Sequence, residues 1–176
     1  MELYRDEKIV IRPMEESDID LLVRGFREQN WDKPGELFEK YYAEQTLQSR
    51  WVIIALFDKN IAGYATILPS AKTGPFWGKG IPEITDFNVL IKYRKNGIGN
   101  LILDTAERIA GRISDTVSLG VGLHYGYGTA QRMYVKRGYV PDGSGVWYRD
   151  KQLEQYKACC NDDDLVLYFS KSLKRG

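Results

Sequence analysis

The chain has 176 residues, with 25 Lys plus Arg against 24 Asp plus Glu and a formal net charge of +1. That length suits one domain over residues 1–176 with a core of its own, and the charge balance gives no field that would select nucleic acid or an anionic membrane. A single histidine and the adjacent pair Cys159 and Cys160 disfavour a metal centre, a histidine-based triad and a disulfide framework, so no metal is expected. No apolar run approaches the roughly 18 residues of a spanning helix, and the first eight residues lack a signal-peptide core, so the expected location is cytoplasmic.

Lys8 to Arg12 reads as a short strand, followed by Pro13 and a Ser17-x-x-Asp20 pattern that predicts a capped helix with Ile19, Leu22, Val23 and Phe26 on one face. Glu28-Gln-Asn-Trp-Asp32 is a polar connection, and Pro34 opens a second helix carrying Leu37, Phe38, Tyr41 and Tyr42. Trp51 to Phe57, the turn residues Asp58-Lys59-Asn60, and Ile61 to Leu68 predict a hairpin. Pro69 to Pro82, with Gly74, Gly78 and Gly80, reads as a long, partly mobile surface loop, and Glu83 to Leu90 as a further strand. From Ile98 the apolar positions Leu101, Ile102, Ala106, Ile109, Ala110 and Ile113 follow the helical period for about four turns. A strand at Val117 to Leu123, a helix at Thr129 to Arg137 stopped by Gly138, a loop at Val140-Pro-Asp-Gly-Ser-Gly and a strand at Leu165 to Phe169 complete the order. Asn161-Asp-Asp-Asp164 reads as a solvated turn.

The segment with the most chemical content is Arg94-Lys-Asn-Gly97-Ile-Gly99, set between an apolar strand and the long helix. Glycines let the backbone approach an anion, and the N–H groups and positive dipole end of the following helix attract it. The residues after Gly97 are Ile98, Gly99 and Asn100, without the Lys-Ser/Thr of a nucleotide-triphosphate loop. The helix continues as Asn-Leu-Ile-Leu, without the third glycine and later acid of a dinucleotide fingerprint.

Ile84-Thr-Asp-Phe-Asn-Val89 running into Tyr93-Arg94-Lys-Asn-Gly97-Ile-Gly99 resembles the main acetyl-coenzyme A motif of the GNAT N-acetyltransferases, in which a strand leads through R/Q-x-x-G-x-G into a helix. Ala130-Gln-Arg-Met-Tyr134-Val-Lys-Arg-Gly138-Tyr139 resembles that family's later motif, and the element order agrees along nearly the whole chain. There are two departures: Ile91 stands where the family often has Pro, and Tyr127 where it often has Asn.

The resemblance implies an α/β fold with a mixed, mostly antiparallel sheet flanked by helices, its two central strands splayed at Glu83 to Leu90 and Thr116 to Leu123. It implies acetyl transfer from acetyl-coenzyme A directly to a primary amine, with no acetyl-enzyme. The cofactor residues it implies are Phe87, Asn88 and Val89 along the strand, Arg94, Lys95, Asn96, Gly97, Ile98, Gly99 and Asn100 at the pyrophosphate, and Ala130 on the later helix. Tyr134 matches the tyrosine that protonates the departing thiolate; the competing reading is a packed core tyrosine. Glu83 is taken as the base in preference to Asp86 because it lies toward the strand start, where the family often has an acid; the odd spacing of the two places them on opposite faces of a regular strand unless a bulge intervenes. Glu28, Trp31 and Trp77, with Asp32 and Phe76, are candidates for an amine pocket, since acidic and aromatic groups favour cations. The partner expected is a small-molecule or peptide amine, with a homodimer left open. The alternative is a non-catalytic domain that binds or senses acyl-coenzyme A.

Overall fold

The computed structural model describes residues 2–173, which form two compact units: residues 2–68 with 85–109, and residues 69–84 with 110–173. In the first unit the elements are β1 (Tyr4–Arg5), β2 (Ile9–Pro13), α1 (Asp18–Arg27), α2 (Gly35–Thr46), β3 (Trp51–Phe57), β4 (Asn60–Leu68), most of β5 (Glu83–Val89) and all but the last residue of α3 (Ile98–Ala110). Its strand order is β1-β2-β3-β4-β5. The hairpin β3/β4 turns on Asp58 and Lys59, both at positive φ (46° and 67°), with Phe57 opposite Asn60. This two-residue turn suits the twist of antiparallel strands.

Leu22 and Phe26 of α1, Phe38 and Tyr41 of α2, Val52 and Ile54 of β3, Ile61 and Tyr64 of β4, and Leu90 make one buried cluster. The helical spacing of these residues and the alternation along β3 put them on one side of the sheet. Two details differ from expectation. Ser17 does not cap α1 with its side chain; instead the buried Asp18 carboxylate accepts from Glu15 N–H (2.8 Å) and from Arg12 (2.6 and 2.8 Å). Asp86, in the middle of β5, has φ 44°, so this strand is kinked where a regular alternation was expected.

A side chain is excluded at Gly63 of β4, where a Cβ would lie 2.5 Å from the Asn88 carbonyl oxygen. Beside it, Leu90 N–H donates to Ala62 O at 2.9 Å. The backbone of Asn88 and Val89 is thereby held against β4 just before the loop that leads into α3.

The second unit comprises the start of β5, β6 (Thr116–Gly122), α4 (Gly128–Lys136), β7 (Val140–Tyr148), β8 (Lys151–Gln152) and β9 (Leu165–Ser172), in the strand order β5-β6-β9-β7-β8. The β5/β6 ladder is parallel and consists of Glu83 opposite Ser118 and Ile84 opposite Leu119, where it ends; β6/β9, β7/β9 and β7/β8 are antiparallel. The sheet is thus mixed and mostly antiparallel, as expected. Residues 69–82 are pinned by a single turn at Gly74–Phe76: Phe76 is buried against Tyr168, and Ala71 N–H donates to Ile81 O at 2.9 Å. Gly74 (φ 71°) admits no side chain, because a Cβ would fall 2.5 Å from the Tyr168 ring.

Val140 to Gly145, expected as a loop, opens β7 instead. Pro141 pairs with Phe169 and Val146 with Leu167, so residues 142–145 bulge opposite Tyr168 alone. Gly143 and Gly145 take positive φ there; the turn chemistry read in the sequence is real, but β9 holds the chain on both sides of it. The acidic turn at 161–164 also does more than face solvent. Asp163 accepts from Tyr127 Oη (2.9 Å) and pairs with His124 Nε2 (3.0 Å), while Gly126 N–H donates to His124 Nδ1 (3.1 Å).

Candidate functional site

In the loop before α3, Arg94, Lys95, Asn96 and Gly97 are exposed while Ile98 is buried, which anchors the helix and leaves the turn outside. Lys95 (φ 66°) and Gly97 (φ 78°) are left-handed, and a Cβ built on Gly97 meets nothing within 4 Å. The chain folds back through Asn96 Nδ2, which donates to Tyr93 O (3.1 Å), and through Asn100 N–H, which donates to Gly97 O (3.0 Å). Arg94 Nε donates to Val89 O at 3.1 Å, tying the loop to the end of β5. The first N–H groups of a helix have no acceptor within it. With two cationic side chains and open space above Gly97, this turn fits a pyrophosphate.

The kink in β5 presents a second feature within the same unit. The Asp86 carboxylate accepts from Lys33 Nζ (2.5 Å) and Asn88 Nδ2 (2.9 Å) on Oδ1, and from Tyr64 Oη (2.5 Å) and Tyr41 Oη (3.0 Å) on Oδ2. Lys33 Nζ also donates to Tyr64 Oη at 2.7 Å. The ammonium lies 5.3 Å from the Phe26 and Tyr64 ring centroids and 5.5 Å from that of Trp31, within cation–π range. Burial first, and then the charge of Asp86, push the phenols of Tyr41 and Tyr64 far above the ordinary tyrosine value, so both keep their protons and donate. A second pair supports the first: Arg50, itself buried, bonds Glu44 (2.5 Å) and Thr66 (2.7 Å), and its guanidinium lies 4.5 Å from the Tyr41 ring centroid.

In the second unit Tyr134 is buried, with its ring 5.7 Å from that of Tyr139. Desolvation, and secondarily Tyr127, raise its phenol pKa well above normal, so it keeps its proton at neutral pH. Ala130 is half-buried, one residue before Gln131, whose Nε2 donates to Gly122 O at 2.8 Å and fixes the start of α4 to the end of β6. Glu83 is buried at the β5/β6 ladder.

Each of the pocket candidates has its own local surroundings. Trp31 is half-exposed and packs edge-on against Phe26 at 5.5 Å, beside the Lys33 ammonium. Glu28 is exposed and paired with Lys92 (2.8 Å), and it lines a 360 Å³ groove with Gly25, Gln29, Leu90 and Ile91. Trp77 is exposed and Phe76 is a packing residue. Asp32 is exposed. Sequence reasoning missed Lys33 and treated Tyr41 only as a helical core position. The signal available was Tyr64 within an apolar strand, since a phenol buried in a core needs a polar partner.

Residues 18–139, well over half the chain, match the acetyltransferase (GNAT) family. No curated protein sequence matches at a significant level. Among solved structures, YncA from Salmonella typhimurium, which carries acetyl-CoA as its cofactor, is 12% identical with a TM-score of 0.69 over 97% of this chain and 96% of its own. An acetyl transferase from Salmonella typhimurium that modifies the N-terminal serine of a 50S ribosomal subunit protein is 8% identical, with a TM-score of 0.72 over 99% of this chain and all of its own (100%). The ribosomal-protein-alanine N-acetyltransferase of Brucella melitensis is 17% identical, with a TM-score of 0.65 over 93% and 99%. These structures share the fold, and the family match carries the identity: the chain belongs to the GNAT acetyltransferases.

Proposed function

We propose that the protein transfers an acetyl group from acetyl-coenzyme A directly to a primary amine. The observation that carries this reading is the exposed turn at Arg94 to Gly97 leading into α3, with left-handed Gly97 open above and Arg94 tied back to Val89. The backbone N–H groups of this turn and the charges of Arg94 and Lys95 hold the pyrophosphate. Phe87, Asn88 and Val89 offer backbone groups to the pantetheine arm and a donor to the developing oxyanion, much as an added strand would pair. Ala130 is assigned to the cofactor through the family motif.

The amine must be neutral to attack, so a base takes its proton as the new N–C bond forms and the C–S bond breaks. Glu83 is the proposed base. In its favour, it lies buried at the start of β5, where the family often has an acid. Tyr134 is the proposed acid for the departing thiolate; its raised pKa keeps the proton available. The acceptor is a small-molecule or peptide amine.

The test is a screen of amine classes read as free thiol released from acetyl-coenzyme A, run beside thermal melts with acetyl-coenzyme A, ATP and NAD. Stabilisation by acetyl-coenzyme A alone, with thiol release from at least one amine class, is expected. Stabilisation by ATP and none by acetyl-coenzyme A overturns the cofactor assignment. Stabilisation by acetyl-coenzyme A with no release from any amine supports a binding domain instead of an enzyme.

A further inference from the structure

We infer that Asp86, Tyr64, Tyr41 and the ring of Phe26 form a binding site for an unbranched primary alkylammonium, closed in this structure by the chain's own Lys33. The acceptor's ammonium enters by exchange with that side chain. The substrate part of this inference rests on the acetyltransferase reading; the ammonium site itself does not.

The donor inventory leads to this conclusion. Asp86 Oδ1 is taken by Lys33 and Asn88, and Oδ2 by Tyr41 and Tyr64. A carboxylate has about four lone-pair positions, so nothing further can bind until a donor leaves. Tyr41 and Tyr64 are fixed in α2 and β4 and packed in the apolar cluster, and Asn88 is two residues along the same strand. Lys33 differs from all three. It stands outside regular structure between α1 and α2, preceded by exposed Trp31 and Asp32 and by Asn30 at positive φ. It is also the donor that brings a full charge, so only another cation can replace it without leaving Asp86 uncompensated.

The surroundings specify which cation. Hydrogen bonds to both Asp86 and Tyr64 at 2.5 and 2.7 Å require an ammonium with at least two N–H groups. A quaternary ammonium has none. The flanking rings at 5.3 to 5.5 Å favour a compact charge on a slender apolar stem, which is what the lysine side chain supplies. Asp86 immediately precedes Phe87 to Val89, the segment proposed to receive the pantetheine arm, so an ammonium held here is delivered beside the acetyl donor. The cage recognises the charged amine; before attack one ammonium proton passes to the base, directly or through water, and the neutral amine then forms the N–C bond as the C–S bond breaks.

Lys33→Ala removes the atoms from Cγ to Nζ, and n-propylammonium restores them. Thermal melts of Lys33→Ala with n-propylammonium chloride should show a saturable rise in Tm, about 3–6 °C at ten times Kd. Equal concentrations of propan-1-ol, tetramethylammonium chloride or sodium chloride should not reproduce it, and Lys33→Ala/Asp86→Asn should not respond. Equal responses to propan-1-ol, or equal responses in the double variant, overturn the site. Should Lys33→Ala fail to fold, the unsubstituted protein serves: exchange should change Trp31 fluorescence saturably with propylammonium, and not in Asp86→Asn or Trp31→Phe, whereas no propylammonium-specific change overturns the site.

In the thiol-release assay, Lys33→Ala should take n-propylamine with a KM lowered about tenfold, since the tethered competitor is gone. Binding of propylammonium with no thiol release from any amine removes the acetyltransferase reading and leaves the ammonium site standing. Acetylation of amines without binding, and with KM unchanged, does the reverse.

Discussion

Exchange of charge at Asp86 predicts an asymmetry between the two partners of its ion pair. Lys33 and Asp86 have side chains only 11% and 19% exposed, so neither is well screened by water. Removing one partner of such a pair leaves the other charge uncompensated, a loss of about 3–5 kcal/mol for deep burial. The two losses are unequal here. Lys33→Met keeps the apolar stem against the rings of Phe26, Trp31 and Tyr64, and it leaves the carboxylate with three neutral donors, Tyr41, Tyr64 and Asn88. About 1–2 kcal/mol should be lost. Asp86→Asn leaves a nearly buried ammonium with one phenol oxygen and an amide, and it sets an NH2 group against donors that need acceptors. About 3 kcal/mol should be lost.

At about 2–4 °C per kcal/mol for a chain of this size, Tm should fall by about 2–8 °C for the lysine variant and about 6–12 °C for the aspartate variant. The double variant should be more stable than the sum of the single losses by about 1 kcal/mol or more. Urea unfolding followed by tryptophan fluorescence measures all three, with unchanged m-values as the check that one transition is compared. Lys33→Met costing as much as Asp86→Asn, or additivity within about 0.5 kcal/mol, would refute the reasoning.

Gly97→Val should weaken acetyl-coenzyme A binding far more than Arg94→Ala, because φ 78° strains any branched residue and fills the open face of the turn, while Arg94 is an exposed charge; equal affinities by calorimetry in folded variants would discard the cradle. Tyr134→Phe should lower the maximal rate by roughly 10- to 1,000-fold with little change in Tm or cofactor affinity, and a large fall in Tm at nearly full rate would assign Tyr134 to packing instead. Stability should decline above about pH 10, since Tyr41, Tyr64 and Tyr134 hold their protons in the fold beyond the pH at which the unfolded chain releases them. Their contribution is complete below the unfolded value and is lost as pH climbs toward the folded one, by about 1.4 kcal/mol per pH unit for each; Tyr64→Phe should reduce that slope by one such share in denaturation at pH 9–11, and an unchanged slope would count against the buried phenol.

Most element positions and the glycine turn before α3 were legible because their causes are local. Two-residue turn chemistry at Asp58 and Lys59, helical spacing from Ile98, and Gly97 between a strand and a helix each act within a few residues. Where local signals failed, a distant partner decided: β9 holds Val140 and Pro141 in a strand despite Asp142-Gly-Ser-Gly145, and Arg12 recruits Asp18 to order the start of α1 where Ser17 was expected to cap it. The cage around Asp86 belongs to this second kind. It draws Phe26 from α1, Lys33 from the connection, Tyr41 from α2, Tyr64 from β4 and Asp86 from β5, and no two of these lie within six residues of each other. Its defining element, a non-glycine residue at φ 44° in a strand, carries no composition signal, since Thr85-Asp86-Phe87 reads as ordinary alternation. Glycine and a helix start are enough to write recognition of a pyrophosphate into a short motif, because backbone groups bind it. Recognition of an amine needs a carboxylate, hydroxyls and ring faces converging from separate elements. If Asp86 holds the acceptor as proposed, the cofactor is the part of such a reaction that a short motif can carry, and the acceptor is the part that needs the assembled fold.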